Sequence, residues 1–265
     1  MKTRVTIFCC LFLICFSSCR LSEREEALQL VRHADSLFAS GELYDDTVRL
    51  ISAVNTLEHS SRFDHNELAH AYYYLGRNYD ILHLDSKEVP CFFRCIELKP
   101  QDKTYAGRAY FNLGKICSHC KEFHYASVFY YNAAANFIAM KDTANWVESM
   151  TLYGSELINA EEETKGFETI ISLNKYITDD FGRLKYNLIL ADYYCKKNDY
   201  YKAYELIKDK ENINTSYKSY ECKRLLLLCN IYDKQNNTVL LDSCLNKLFL
   251  ISYIFLYYLL ILLNH

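Results

Sequence analysis

The chain has 265 residues, 24% charged and 51% hydrophobic, which is enough apolar mass for a large buried core or a one-dimensional array and excludes a disordered chain. Seven Gly and two Pro against 24 Tyr and 15 Phe leave few breakers and much aromatic packing, a balance that favours long helices over tight β-turns. The formal net charge of −3 comes with no basic block or tail, so the electrostatic footprint of a nucleic-acid binder is absent.

At the N-terminus, Lys2 and Arg4 precede an apolar run from Val5 to Phe16, and Ser17 and Ser18 then precede Cys19. A basic start, an apolar stretch and small residues make an export signal. The segment resembles a bacterial lipoprotein signal, in which small residues precede a cysteine that is diacylated on its thiol and becomes the first residue of the mature chain. That resemblance implies a signal peptide over residues 1–18 and lipidation at Cys19. Phe16 stands where such signals usually have Leu, which keeps simple cleavage and an uncleaved anchor open. Acyl chains would hold the protein on a bilayer, at about 0.8 kcal/mol for each buried methylene.

Downstream, the chain repeats itself. A degenerate helical hairpin over residues 22–65 centres on Ala34, Gly41 and Ala53. The strongest copy begins Tyr72-Tyr73-Tyr74-Leu75-Gly76, continues with Tyr79, and ends Phe92, Cys95, Ile96, Leu98 and Pro100. The next has Tyr110, Leu113 and Gly114, a turn at Lys121-Glu122-Phe123, then Ala126, Tyr130 and Ala133. Over residues 141–247 the copies weaken: Gly154 with Ile170; Leu190, Ala191 and Tyr194, the turn Asn198-Asp199-Tyr200, then Ala203 and Ile207; and Leu228 with Tyr232.

These positions resemble the tetratricopeptide consensus: an aromatic, Leu-Gly and Tyr on a first helix, an aromatic and a small residue on a second, and a closing Pro. The resemblance covers roughly Ser22 to Lys247, with two well-matched repeats over residues 66–140. It implies an all-α, antiparallel helix-hairpin solenoid. Markers Ala34, Gly76, Gly114, Gly154 and Ala191 recur at intervals of 42, 38, 40 and 37 residues, longer than the usual period of about 34. Glu88 stands where the family has Ala and predicts a distorted start to its helix. Small residues let helices approach, and Tyr79, Phe92, Tyr130 and Tyr200 are expected to fill gaps between hairpins.

At the other end, Leu248 to Leu263 is apolar apart from Ser252. It reads as a possible transmembrane helix slightly below the roughly 17-residue minimum, with a capping helix or a truncated frame as alternatives.

No elbow nucleophile, zincin-type His pair or phosphate loop is found, so neither an enzyme nor a cofactor is expected. Glu161-Glu162-Glu163 reads as a solvated turn, and His59, His65 and His70 as exposed positions near a helix start. Eight of the twelve cysteines lie beyond the signal. They read as buried or free thiols, with a Cys95–Cys117 disulfide as an alternative and no metal site assigned.

The family pattern implies a groove lined by first helices, here His70, Tyr73 and Arg77, then Arg108, Phe111, Asn112 and Lys115, then Asp192. Its middle is basic. Arg77, Arg108 and Lys115, helped by Asn112, are expected to hold a carboxylate or acidic peptide by charge-assisted bonds. The expected function is a non-catalytic protein-binding adaptor, membrane-anchored in a bacterial cell envelope with its repeats outside the cytoplasm, resembling tetratricopeptide lipoproteins and envelope proteins of the Bacteroidetes type. The alternative is the sensory half of a membrane signalling or transcription-regulatory protein. No nucleic-acid partner is expected for this chain.

Overall fold

The computed structural model describes residues 23–40, 42, 44, 46–82, 85–208 and 218–263, with side chains as far as Ile251. The expected signal, the Cys19 acceptor and Gly41 lie outside the described residues. Helix α1 covers residues 23–39. Then follow α2 (Thr47–Glu58), α3 (His65–Ile81), α4 (Asp85–Glu97), α5 (Thr104–His119) and α6 (Phe123–Ala139). The chain continues with α7 (Thr143–Asn159), α8 (Glu163–Ser172), α9 (Asp180–Lys196), α10 (Tyr200–Ile207), α11 (Lys218–Lys234) and α12 (Thr238–Leu263). Among the described residues there is no strand.

The boundaries follow from local chemistry. Asp46, Asp64, Asp179 and Asp199 cap α2, α3, α9 and α10, their carboxylates accepting from backbone N–H groups of the first turn. Five turns share one geometry at the other end. Lys121, Lys141, Glu161, Asn198 and Asn236 take φ between 53° and 69°. At each, the next residue's N–H bonds back to a carbonyl five residues earlier, as from Glu122 to Cys117 at 2.8 Å and from Asn237 to Tyr232 at 2.9 Å. This is a Schellman closure built without glycine. The residue after each left-handed one opens the next helix, and within the hairpins, at Lys121, Glu161, Asn198 and Asn236, such a three-residue turn reverses the chain. The acidic run therefore serves as expected: Glu161 is the left-handed residue, Glu162 the N-cap and Glu163 the start of α8.

Two compact units result, Met1–Asp142 and Thr143–His265, each with six α-helices among the described residues. In the first, α3 packs on α4 and α5 on α6, while α3 also meets α2 and α5. One core joins Val31 and Ala34 of α1, Leu50 and Val54 of α2, and Leu68, Tyr73, Phe92, Cys95 and Leu113. Glycines set the spacing inside a hairpin. A Cβ on Gly76 would lie 2.8 Å from the Phe92 ring, and one on Gly114 2.8 Å from the Tyr130 ring. These rings fill space within hairpins, a correction to the expectation that they sit between them. A second correction concerns Glu88: α4 runs unbroken past it and through Pro90, with Glu88 itself buried.

The second unit pairs α7 with α8, α9 with α10 and α11 with α12. Here backbone approaches backbone, since a Cβ on Gly166 would stand 2.4 Å from the Gly154 carbonyl oxygen. Arg224 of α11 is buried. It makes a two-pronged bond to Glu221 at 2.8 and 2.9 Å and donates to the Ile207 carbonyl at 3.0 Å, closing the free C-terminal end of α10. The apolar run begins inside α12, where Leu248 and Ile251 pack on this unit's core. Its side chains from Ser252 onward lie outside the described residues. Among the described residues no helix is long and apolar enough to cross a membrane.

These contacts predict opposite effects of two exchanges. Lys121→Gly relieves a left-handed non-glycine residue and raises stability by about 0.5–1 kcal/mol. Gly114→Ala forces Tyr130 to move and lowers it by about 1–3 kcal/mol. Urea unfolding midpoints of the full chain distinguish the two signs.

Candidate partner-binding site

In the first unit, the first helices of the three hairpins, α1, α3 and α5, bring charged and aromatic side chains onto one face. Phe38 of α1 lies between two arginines, with the Arg77 guanidinium 5.5 Å and the Arg108 guanidinium 5.7 Å from its ring centre. Arg108 also stands 5.4 Å from the Tyr105 ring and 6.0 Å from that of Tyr73. Guanidinium groups favour such positions because the ring faces are electron-rich. Arg77 Nη1 donates to Asp80 Oδ2 at 2.7 Å and to Asn112 Oδ1 at 3.2 Å. The Asn112 amide donates to the Arg108 carbonyl at 2.8 Å. Arg77 Nε is buried with no hydrogen-bond partner among the described residues.

The fold thus brings Tyr73, Arg77, Arg108 and Asn112 together, though not all as surface. Tyr73 is 2% exposed and Asn112 7%, so they form the wall behind the arginines. Phe111 turns to Tyr130 of α6, ring centres 5.4 Å apart and edge to face. Lys115 is half-buried, with no ion-pair partner among the described residues. Asp192 belongs to the second unit, where it pairs with Lys196 at 2.9 Å. His70 is a correction: it is largely enclosed, stacked on Tyr105 at 3.9 Å, because the α1 and α5 side chains close over it.

Sequence reasoning missed Asp35, Phe38 and Tyr105. Asp35 lies 3.8 Å from Arg108 and 3.9 Å from His70. The repeat register could have found it. The residues one place after the markers are Asp35, Arg77, Lys115, Ser155 and Asp192, so Asp35 shares the groove position of Arg77 and Lys115. Likewise, six places before the markers stand His70, Arg108, Glu148 and Lys185. In the second unit the last two form an ion pair between α7 and α9. Lys185 sits 4.3 Å over Phe181 and 6.0 Å from Tyr220 of α11.

The buried thiols of Cys91, Cys95 and Cys195 are poor nucleophiles. Burial pushes Cys91 and Cys195 up to about 11 and Cys95 higher still. Cys95 and Cys117 stand as free thiols. Among the described residues, no three His, Cys, Asp or Glu side chains converge to hold a metal ion.

Repeated helix hairpins, small residues under aromatic rings and first helices sharing a face define an all-helical protein of tetratricopeptide-like fold. The tetratricopeptide-containing protein PilF of Pseudomonas aeruginosa has a solved structure that matches with a TM-score of 0.52 at 16% identity, over 85% of this chain and 90% of that one. BtubC (BKLC) from P. vanneervenii matches with a TM-score of 0.44 at 12% identity, over 90% of each chain. No family model and no curated protein sequence matches the chain.

Burial holds the His70 imidazole down at about 4 from its ordinary 6.5, with Asp35 and Asp102 opposing the shift and Arg108 and Arg32 adding to it. The folded chain thus favours neutral His70. Its contribution is whole above pH 6.5 and is lost as pH falls toward 4, to a ceiling of about 3 kcal/mol. His70→Gln lowers stability at pH 7 through the lost stacking, yet flattens the acid limb between these values, as urea midpoints measured across pH will show.

Proposed function

We propose that this chain is a non-catalytic tetratricopeptide scaffold that binds a segment of another protein and is anchored at a bacterial cell envelope. The observation that carries the reading is the α1–α3–α5 face, where Arg77 and Arg108 gather beside aromatic rings on helices held rigid by hairpin packing, with Lys115 seven residues further along α5. A half-buried guanidinium backed by rings is already desolvated and ordered, so it meets a carboxylate or backbone carbonyl with little further loss of freedom. Lys115 adds a positive charge without an ion-pair partner among the described residues. Phe111 borders the same stretch of α5. An extended peptide with acidic residues suits this face.

Anchoring is supported by the N-terminal sequence, in which a basic start, an apolar run and two serines lead to Cys19. It puts the repeats outside the cytoplasm. A second reading, the sensory half of a membrane signalling or transcription-regulatory protein, rests on the apolar sequence of the run Leu248–Leu263 alone.

Two measurements test these readings. Immobilised full chain is expected to retain envelope proteins of its native host, and the double variant Arg77→Glu, Lys115→Glu to lose them by about tenfold or more. Equal retention by both would remove this face as the docking surface. Mass spectrometry of membrane-extracted protein is expected to show loss of residues 1–18 and addition of acyl groups, both abolished in Cys19→Ala. An unacylated chain that leaves the membrane only when it ends at Lys247 would favour the sensory reading.

A further inference from the structure

Among the described residues of α1, Asp35 is the carboxylate that reaches the cluster described above, and one of its oxygens is used intensively. Oδ1 accepts a hydrogen bond from the Tyr74 hydroxyl and another from the Tyr105 hydroxyl at 3.4 Å. The same atom lies 3.8 Å from Arg108 Nη1 and 3.9 Å from His70 Nε2. All four groups come from α3 and α5. Two hydroxyls, an imidazole and a guanidinium converging on one point are the donor set for a carboxylate.

The fit is incomplete. Hydrogen bonds close at about 2.7–3.2 Å from nitrogen and about 2.5–3.0 Å from a hydroxyl, so Asp35 satisfies Tyr74, holds Tyr105 only loosely and stops short of both nitrogen donors. His70 Nε2 is buried with no hydrogen-bond partner among the described residues. A neutral imidazole can carry its proton on that nitrogen and donate it. Asp35 is held back by its short side chain and by its place on α1, and its own side chain remains 43% exposed. A carboxylate arriving from solvent has no such tether.

We propose that Tyr74, Tyr105, His70 and Arg108 form a carboxylate-binding site that the chain's own Asp35 occupies, and that an acidic side chain or C-terminal carboxylate of a docked segment displaces Asp35 to enter it. The biological side of this assignment rests on the α1–α3–α5 face being a docking surface. The site itself does not, and acetate serves as the probe.

Asp35→Ala removes the occupant and leaves the four donors. Sodium acetate is titrated into the full-length variant against sodium chloride at constant ionic strength, with the His70 ring followed by NMR. A saturable acetate-dependent shift is expected in the variant, absent from the wild-type chain, and about tenfold weaker when Arg108→Gln is added. The same response in wild type and variant, or in acetate and chloride, overturns the proposal. Should Asp35→Ala fail to fold, Asp35→Asn keeps the shape and removes the charge. It is expected to lower the His70 titration midpoint further, against the unchanged surroundings of Arg32, Asp102 and Arg108. An unchanged midpoint overturns the proposal. Acetate binding combined with unaltered partner retention by the Arg77→Glu, Lys115→Glu chain would keep the carboxylate site and discard the docking surface, so the two failures are separable.

Discussion

Each hairpin depends on how closely its two helices approach. Where Gly76 faces Phe92 and Gly114 faces Tyr130, the ring from the second helix lies directly against the backbone of the first, at distances that a single methyl group would violate. Between Gly154 and Gly166 the backbones themselves touch. Such contacts gather dispersion energy from a large ring and fix the axial offset of the pair, since the ring fits only over the residue without a side chain. The three-residue turns answer to the same requirement. A Schellman closure followed at once by the next N-cap gives the chain too little slack for any arrangement but an antiparallel one, and the structure accepts a left-handed lysine, glutamate or asparagine to keep that length.

With hairpins fixed, first helices fall beside one another and side chains from different repeats meet. In the first unit this produces a mixed cluster in which Phe38 separates two arginines and Asp35 faces four donors. In the second, the same repeat positions carry Glu148 and Lys185, which pair directly under Phe181 and Tyr220. Both faces thus combine a cation, a carboxylate and aromatic rings drawn from three helices. Partly buried pairs of this kind orient their members more than they stabilise the fold, because desolvation offsets much of the attraction. If the first face docks a partner as proposed, that partner must compete with an existing internal one.

Much of this was legible beforehand. The Gly and Ala markers, the aromatics following them and the turns at Lys121-Glu122 and Asn198-Asp199 point to paired helices, because close packing restricts residue type strongly at the markers. The family pattern puts Arg77, Arg108 and Asn112 on one face, and the structure brings those three side chains together. Asp35 was missed because its hairpin matches the consensus poorly, so the register was not carried back to it. Tyr73 and His70 were assigned to the surface because periodicity gives the face of a helix and not the height of its neighbours. Nothing in a one-dimensional pattern says that Tyr105, from the next repeat, will stack over His70.

The sequence by itself determined the helical class, the hairpin unit and the positions that face a common side, since each follows from contacts between residues near in the chain or from sterics at one backbone site. Only the tertiary structure decided which charges meet, which of them already hold an internal partner and how much of each remains open to solvent. Those outcomes depend on side chains 35 to 70 residues apart, such as Arg77 with Asn112 and Asp35 with Tyr105, whose distances are set by the packing of whole hairpins.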